Sequence, residues 1–141
     1  MRRGIALALL AALVIPFPAA GQAKPDFSGT WLVVGPEQGI RELTITQDAS
    51  TLSLEGQPDV AKHTFKLDGS DTEMSAPDGK PLLAKAVWEG KTLVITVHFP
   101  EIKQDIRRLT WALDADGRLV TETHFLGGKP EPPTRQVFTR R

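Results

Sequence analysis

The sequence predicts an all-β chain: an antiparallel up-and-down meander closing into a small barrel of about eight to ten strands, preceded by a helical signal peptide. Two observations predict the meander. From Asp26 onward, apolar residues recur with a period of two rather than 3.6. The runs are punctuated by Asp68-Gly69, Asp78-Gly79, Glu89-Gly90, Asp116-Gly117 and Gly127-Gly128, pairs that reverse a chain. A third observation is negative: no later segment beyond about ten residues carries an amphipathic helical stripe.

The leader comes first. Arg2 and Arg3 supply a positive start, and Ile5 to Ile15 is an uncharged apolar run too short to span a bilayer. Pro16 and Pro18 then break any helix, and Ala19, Ala20, Gly21 and Ala23 are small, as a cleavage site requires. Residues 1–23 are expected to be removed, leaving one domain over residues 24–141 that is periplasmic or secreted. No later run approaches the roughly 18 apolar residues of a membrane helix, so no stable membrane insertion is expected after cleavage.

The strands follow in order: Thr30–Val34, Glu42–Gln47, Thr51–Glu55, Ala61–Leu67, Thr72–Ser75, Leu82–Glu89, Thr92–Phe99, Arg107–Leu113, Leu119–Phe125 and Arg135–Thr139. Their registers are mutually consistent. A two-residue turn at Glu89-Gly90 pairs Ala86 with Leu93 and Ala84 with Ile95, gathering Leu82, Ala84, Ala86 and Trp88 on the face of Leu93, Ile95, Val97 and Phe99. A three-residue loop at Ala115-Asp116-Gly117 pairs Leu113 with Leu119, so Leu109 and Trp111 share a face with Thr121, Thr123 and Phe125. An even loop around Asp48-Ala49 aligns Ile45 with Leu52 and Leu43 with Leu54. Three hairpins agree on which side is inside.

Composition narrows the function classes. Removing Arg2 and Arg3 leaves 15 basic against 17 acidic residues, without the basic excess of a nucleic-acid-binding protein. With 40% hydrophobic residues the chain builds a core rather than a disordered tail. The absence of cysteine excludes disulfides, thiolate metal sites and a cysteine nucleophile. His98 and His124 are expected to face outward, so no metal site is expected among the three histidines. No nucleophile–base pair is found either. The serines lack a Gly-x-Ser-x-Gly setting, and Asp68, Asp71, Asp78, Asp114 and Asp116 sit in turns where carboxylates cap amides.

Phe27-Ser28-Gly29-Thr30-Trp31, at the start of the first strand, resembles the lipocalin superfamily, whose members open a ligand-binding barrel with Gly-x-Trp. The sequence is more closely similar to small exported bacterial lipocalin-like proteins, through Leu43–Asp48, Leu67–Ser70, Ala86–Thr96 and Leu109–Leu119. The resemblance implies that an arginine near the chain end packs over the first-strand tryptophan. Here that is Arg135 or Arg140, and Gly29, Trp31 and Arg135 form the expected structural set. The chain lacks the cysteines and the helix after the barrel that many lipocalins carry. That leaves open an interior filled by its own side chains.

Within an open interior the expected ligand contacts are His63, Phe65, Trp88, Trp111, Thr121 and Thr123. Trp88 and Trp111 offer an aromatic wall, and His63, Thr121 and Thr123 the few polar groups that orient a ligand. Each also has a plainer role. Tryptophans fill cores, a lone histidine is more often a hydrogen-bonded core residue, and threonines are strong β-formers. The expected function is a monomeric binder of a small apolar ligand, with no cofactor and no catalysis. The alternative is a protein-binding module such as a periplasmic protease inhibitor, using the barrel end and Lys24-Pro25-Asp26.

Overall fold

Alternating side chains and tight turns produce the architecture directly. The computed structural model describes residues 23–35 and 39–141. These form ten strands: β1 (Gly29–Val33), β2 (Glu42–Gln47), β3 (Thr51–Gln57), β4 (Val60–Lys66), β5 (Asp71–Ser75), β6 (Pro81–Glu89), β7 (Thr92–His98), β8 (Asp105–Leu113), β9 (Leu119–Phe125) and β10 (Thr134–Arg140). Residues 1–22, all but the last position of the expected leader, lie outside the described residues. No helix among the described residues is long and apolar enough to cross a membrane.

Every strand pairs antiparallel with its sequence neighbour except across β4 and β5, and β10 pairs with β1. The order β4-β3-β2-β1-β10-β9-β8-β7-β6-β5 is therefore a meander rolled into a nearly closed barrel. At the seam between β4 and β5, the Lys66 amide donates to the Thr72 hydroxyl at 3.0 Å. An all-β, nearly closed antiparallel barrel is consistent with a lipocalin-like fold.

Two registers differ from expectation, and both by two residues. Trp88 pairs with Leu93 and Ala86 with Ile95, because the turn is Gly90-Lys91 rather than Glu89-Gly90. Gly90 takes φ +62° and Lys91 does not turn positive, the pattern of a hairpin turn with glycine at its first central position. Likewise Ile45 pairs with Leu54. Asp48 opens that turn, its Oδ1 accepting the Ser50 and Thr51 amides at 2.8 and 2.7 Å, which leaves Ala49-Ser50 as the central pair. These amides hold the Asp48 carboxyl below its ordinary range. Asp114 is held down in the same way by the Arg118 amide. A shift of two returns every side chain to the same face, so the inward sets survive. The β8–β9 register, Leu113 with Leu119, is as expected.

Two bulges re-aim side chains. Leu54 and Gly56 of β3 face His63 and Val60 of β4, so β4 carries one extra residue. Val60 and His63 both turn inward, and Ala61, expected beside His63, is exposed. In β8 an extra residue falls where Val97 faces Arg107 but His98 faces Asp105. Arg107, in phase with Leu109 and Trp111, lines the interior, and the bulge puts Asp105 on the other face, where it meets His98 at 3.9 Å.

One end of the barrel is plugged by the segment before β1. Phe27 is fully buried, stacked on Trp88 at 5.7 Å and edge-on to Trp111 at 6.2 Å. Its amide donates to Gln47 Oε1 at 3.0 Å, and its carbonyl accepts the Trp31 indole N–H at 2.7 Å. Gly29 permits the entry of this segment into β1 by adopting φ +131°, which an L side chain rarely takes. Arg140, not Arg135, lies over the Trp31 ring at 4.6 Å and donates to the Asp26 carbonyl at 2.9 Å. Arg135 is exposed and lies 3.8 Å from Glu122. Antiparallel pairing of β10 with β1 explains the choice: Arg140 is the register partner of Trp31, whereas Arg135 sits near the opposite end of β10.

Candidate functional site

The inward faces of β2, β3, β4, β5, β7, β8, β9 and β10 enclose a cavity of about 220 Å³ in the half of the barrel away from the plug. Trp111, Phe65 and Phe138 are buried and contribute aromatic surface, and Leu43, Leu54 and Ile95 add aliphatic walls. Ile40, Val60 and Met74 are half-buried on the same lining. Five polar side chains interrupt this apolar surface: His63, Arg107, Thr121, Thr123 and Gln136. Few polar groups on mostly apolar walls is the usual composition of a small-molecule site.

Five of the six expected contacts, His63, Phe65, Trp111, Thr121 and Thr123, converge on this one space. Trp88 does not. It lies at the plugged end, stacked on Phe27, with the Lys24 ammonium 5.8 Å from its ring centre. Phe27 packs against both rings, and of the two tryptophans Trp111 alone lines the cavity. Larger hollows of about 550 and 420 Å³ occur near Pro81 and Pro100, and near Trp88 and Ala49. Most of their lining residues are exposed, which makes them surface grooves rather than interiors.

Sequence reasoning missed Arg107 and Gln136. Both were in phase with recognised inward residues, Arg107 with Leu109 and Trp111, and Gln136 with Phe138. Their polarity hid them, because an apolar alternation assigns charged and amide residues to solvent.

Other expected features fall on the outer surface. His98 faces Asp105, and His124 Nε2 lies 3.4 Å from Glu122 Oε2. Among the described residues no group of three or more His, Cys, Asp or Glu is placed to hold a metal ion. Lys24-Pro25-Asp26, the expected protein-binding arm, is tied to the barrel end. Lys24 donates to the Gly90 carbonyl at 3.0 Å, and the Pro25 carbonyl accepts Gln47 Nε2 at 3.1 Å.

Ala84 and Ala86, the small inward residues of β6, are not part of the cavity. Ala84 is fully buried between Thr72 and Val97 and does not reach the lining. Ala84→Leu is therefore expected to overpack the wall at a cost of about 1–3 kcal/mol, leaving cavity volume and ligand response intact. Urea denaturation alongside a ligand titration checks both halves of that expectation.

No family model matches the sequence, and no curated protein matches it, so a functional reading rests on the cavity itself.

Proposed function

We propose that the protein is an exported, monomeric binding protein that takes a small, mainly apolar molecule into the open half of its barrel, in the manner of a bacterial lipocalin-like carrier. One observation carries the reading: an interior of about 220 Å³ that combines Trp111 and Phe65 with a few inward polar groups. Its size limits the ligand. An apolar cavity of roughly 150 Å³ accommodates benzene, so this one suits a substituted ring or a short chain rather than a long lipid. The leader-like residues 1–23 support delivery to the periplasm or beyond, with residues 24–141 as the mature domain. The near-neutral charge balance supports a small-molecule partner over nucleic acid. Engagement of Lys24-Pro25-Asp26 in the plug favours this reading over a protein-binding arm.

Toluene titrated into the mature protein is expected to give saturable binding by calorimetry and a change in tryptophan emission from Trp111. Thr123→Phe places a ring in the cavity and is expected to abolish both without lowering the melting temperature. Absence of saturable binding, or binding indifferent to Thr123→Phe, would defeat the proposal.

A further inference from the structure

We infer that Arg107 is the counter-ion of an anionic ligand, and that the molecule taken by the cavity is a small carboxylic acid. The inference rests on the binding function proposed above and adds the chemistry of the ligand's polar end.

Three features of Arg107 point the same way. First, its strand position: Arg107 stands between Val97 and Phe125 in phase with the inward Leu109 and Trp111, so it lines the cavity instead of the outer surface. Second, its partner is a ring. The guanidinium carbon lies 5.3 Å from the centre of Phe125, a residue 48% exposed. Stacking occupies one face of the planar group and leaves the in-plane N–H donors unspent. Third, its Nε is buried and has no hydrogen-bond partner. Among the described residues this is the single buried side-chain nitrogen or oxygen so placed.

Three other arginines sharpen the contrast. Arg108 lies 3.5 Å from Glu89, Arg118 pairs with Asp114 and Asp116, and Arg135 faces Glu122. Those are surface pairs, and they contribute little. Arg107 lines the interior and, among the described residues, pairs with no carboxylate. A buried charged donor left unsatisfied is costly, and a fold retains one where something else satisfies it.

The donor geometry selects the ligand. Nε–H and one Nη–H of a guanidinium lie side by side, and a carboxylate accepts both with its two oxygens. Thr121 and Thr123 line the same cavity and supply hydroxyls for the remaining lone pairs. The apolar remainder of the ligand then lies toward Trp111 and Phe65. The limited volume restricts that remainder to a ring or a short chain, which favours a free small acid over the acyl chain of a membrane lipid.

The test compares matched pairs on the mature protein by calorimetry: benzoate against toluene, and hexanoate against 1-hexanol. Wild type is expected to bind each acid more tightly than its neutral partner. Arg107→Met is expected to weaken benzoate on the order of 10- to 100-fold and so to remove the preference for benzoate over toluene. Arg107→Lys keeps the charge but not the paired donors, and is expected to fall between the two. If Arg107→Met fails to fold, Arg107→Lys carries the comparison, and equal losses for acid and neutral partner would overturn the inference. Toluene binding with no preference for benzoate would also overturn it while leaving the binding function standing. Failure of every probe would defeat the binding function itself. Hexadecanoate binding more tightly than hexanoate would overturn the assignment to a small acid.

Discussion

Trp31→Ala is expected to lower stability by about 3–5 kcal/mol, the range for removing a fully buried large aromatic side chain. For a domain of this size that corresponds to a fall of roughly 10–20 °C in melting temperature. The size of the effect follows from how many separate constraints meet on one ring. Its indole N–H satisfies the Phe27 carbonyl at 2.7 Å, which fixes the plug. Its face receives the Arg140 guanidinium, which also holds the Asp26 carbonyl and so ties the chain end to the segment before β1. Its backbone stands at the closure of the barrel, paired with Leu43 on one side and Arg140 on the other. Alanine leaves a cavity, strands a carbonyl and frees the cation together. Trp31→Phe retains most of the packing but not the indole donor, so it should recover more than half of the loss. Arg140→Met should cost less than either substitution, because its guanidinium is exposed to water and pairs cheaply there. Chemical denaturation of the three variants checks the ranking. A loss below about 1 kcal/mol in Trp31→Ala would show that the plug does not hold the barrel closed.

Much of this fold was legible because period-two alternation survives errors of register. Turns at Gly90-Lys91 and Ala49-Ser50, two residues away from the expected pairings, still place Ala84, Ala86, Leu43 and Leu54 inside. Closure of β10 on β1 was implied by the number of strands, but its register was not. Only that register decides between Arg135 and Arg140, since it brings position 140 rather than 135 beside Trp31. Bulges were not legible at all. The extra residue in β4 exposes Ala61 and turns Val60 inward, and no local composition announces it. The extra residue in β8 lets Asp105 face His98 outside while Arg107, two positions on, faces inside.

The candidate site was partly legible for the same reason. His63, Phe65, Trp111, Thr121 and Thr123 follow from face assignment alone, and each lines the cavity. Trp88 has the correct face and the wrong height. Along a barrel axis, face is a two-state property that alternation encodes. Height depends on strand stagger and on where the plug enters, which only tertiary pairing sets. Phe27 enters from outside the strand pattern, and it occupies the space between Trp88 and Trp111 that a strand-only reading leaves open.

Phe27→Ala should therefore separate the role of the plug from that of the strands. The ring is fully buried and makes two aromatic contacts, a stack on Trp88 with an interplanar angle of 23° and an edge contact with Trp111 at 75°. Loss of a buried phenylalanine costs about 3–5 kcal/mol, of which the aromatic pairs account for roughly 1–3. The backbone bonds of Phe27 to Gln47 and Trp31 do not depend on its ring, so the segment should remain docked. What changes is the floor of the interior. With the ring gone, the space above Trp111 joins the groove around Trp88, and water reaches both indoles from the plugged end. Tryptophan emission should shift to the red and acrylamide quenching should rise, whereas Trp31, covered by Arg140, should stay protected. Phe27→Leu refills most of the volume and should restore the protection with only part of the stability, because a leucine cannot stack. Unchanged quenching in Phe27→Ala would place the floor elsewhere, on Trp111 alone. In that case the plug would contribute stability without bounding the cavity.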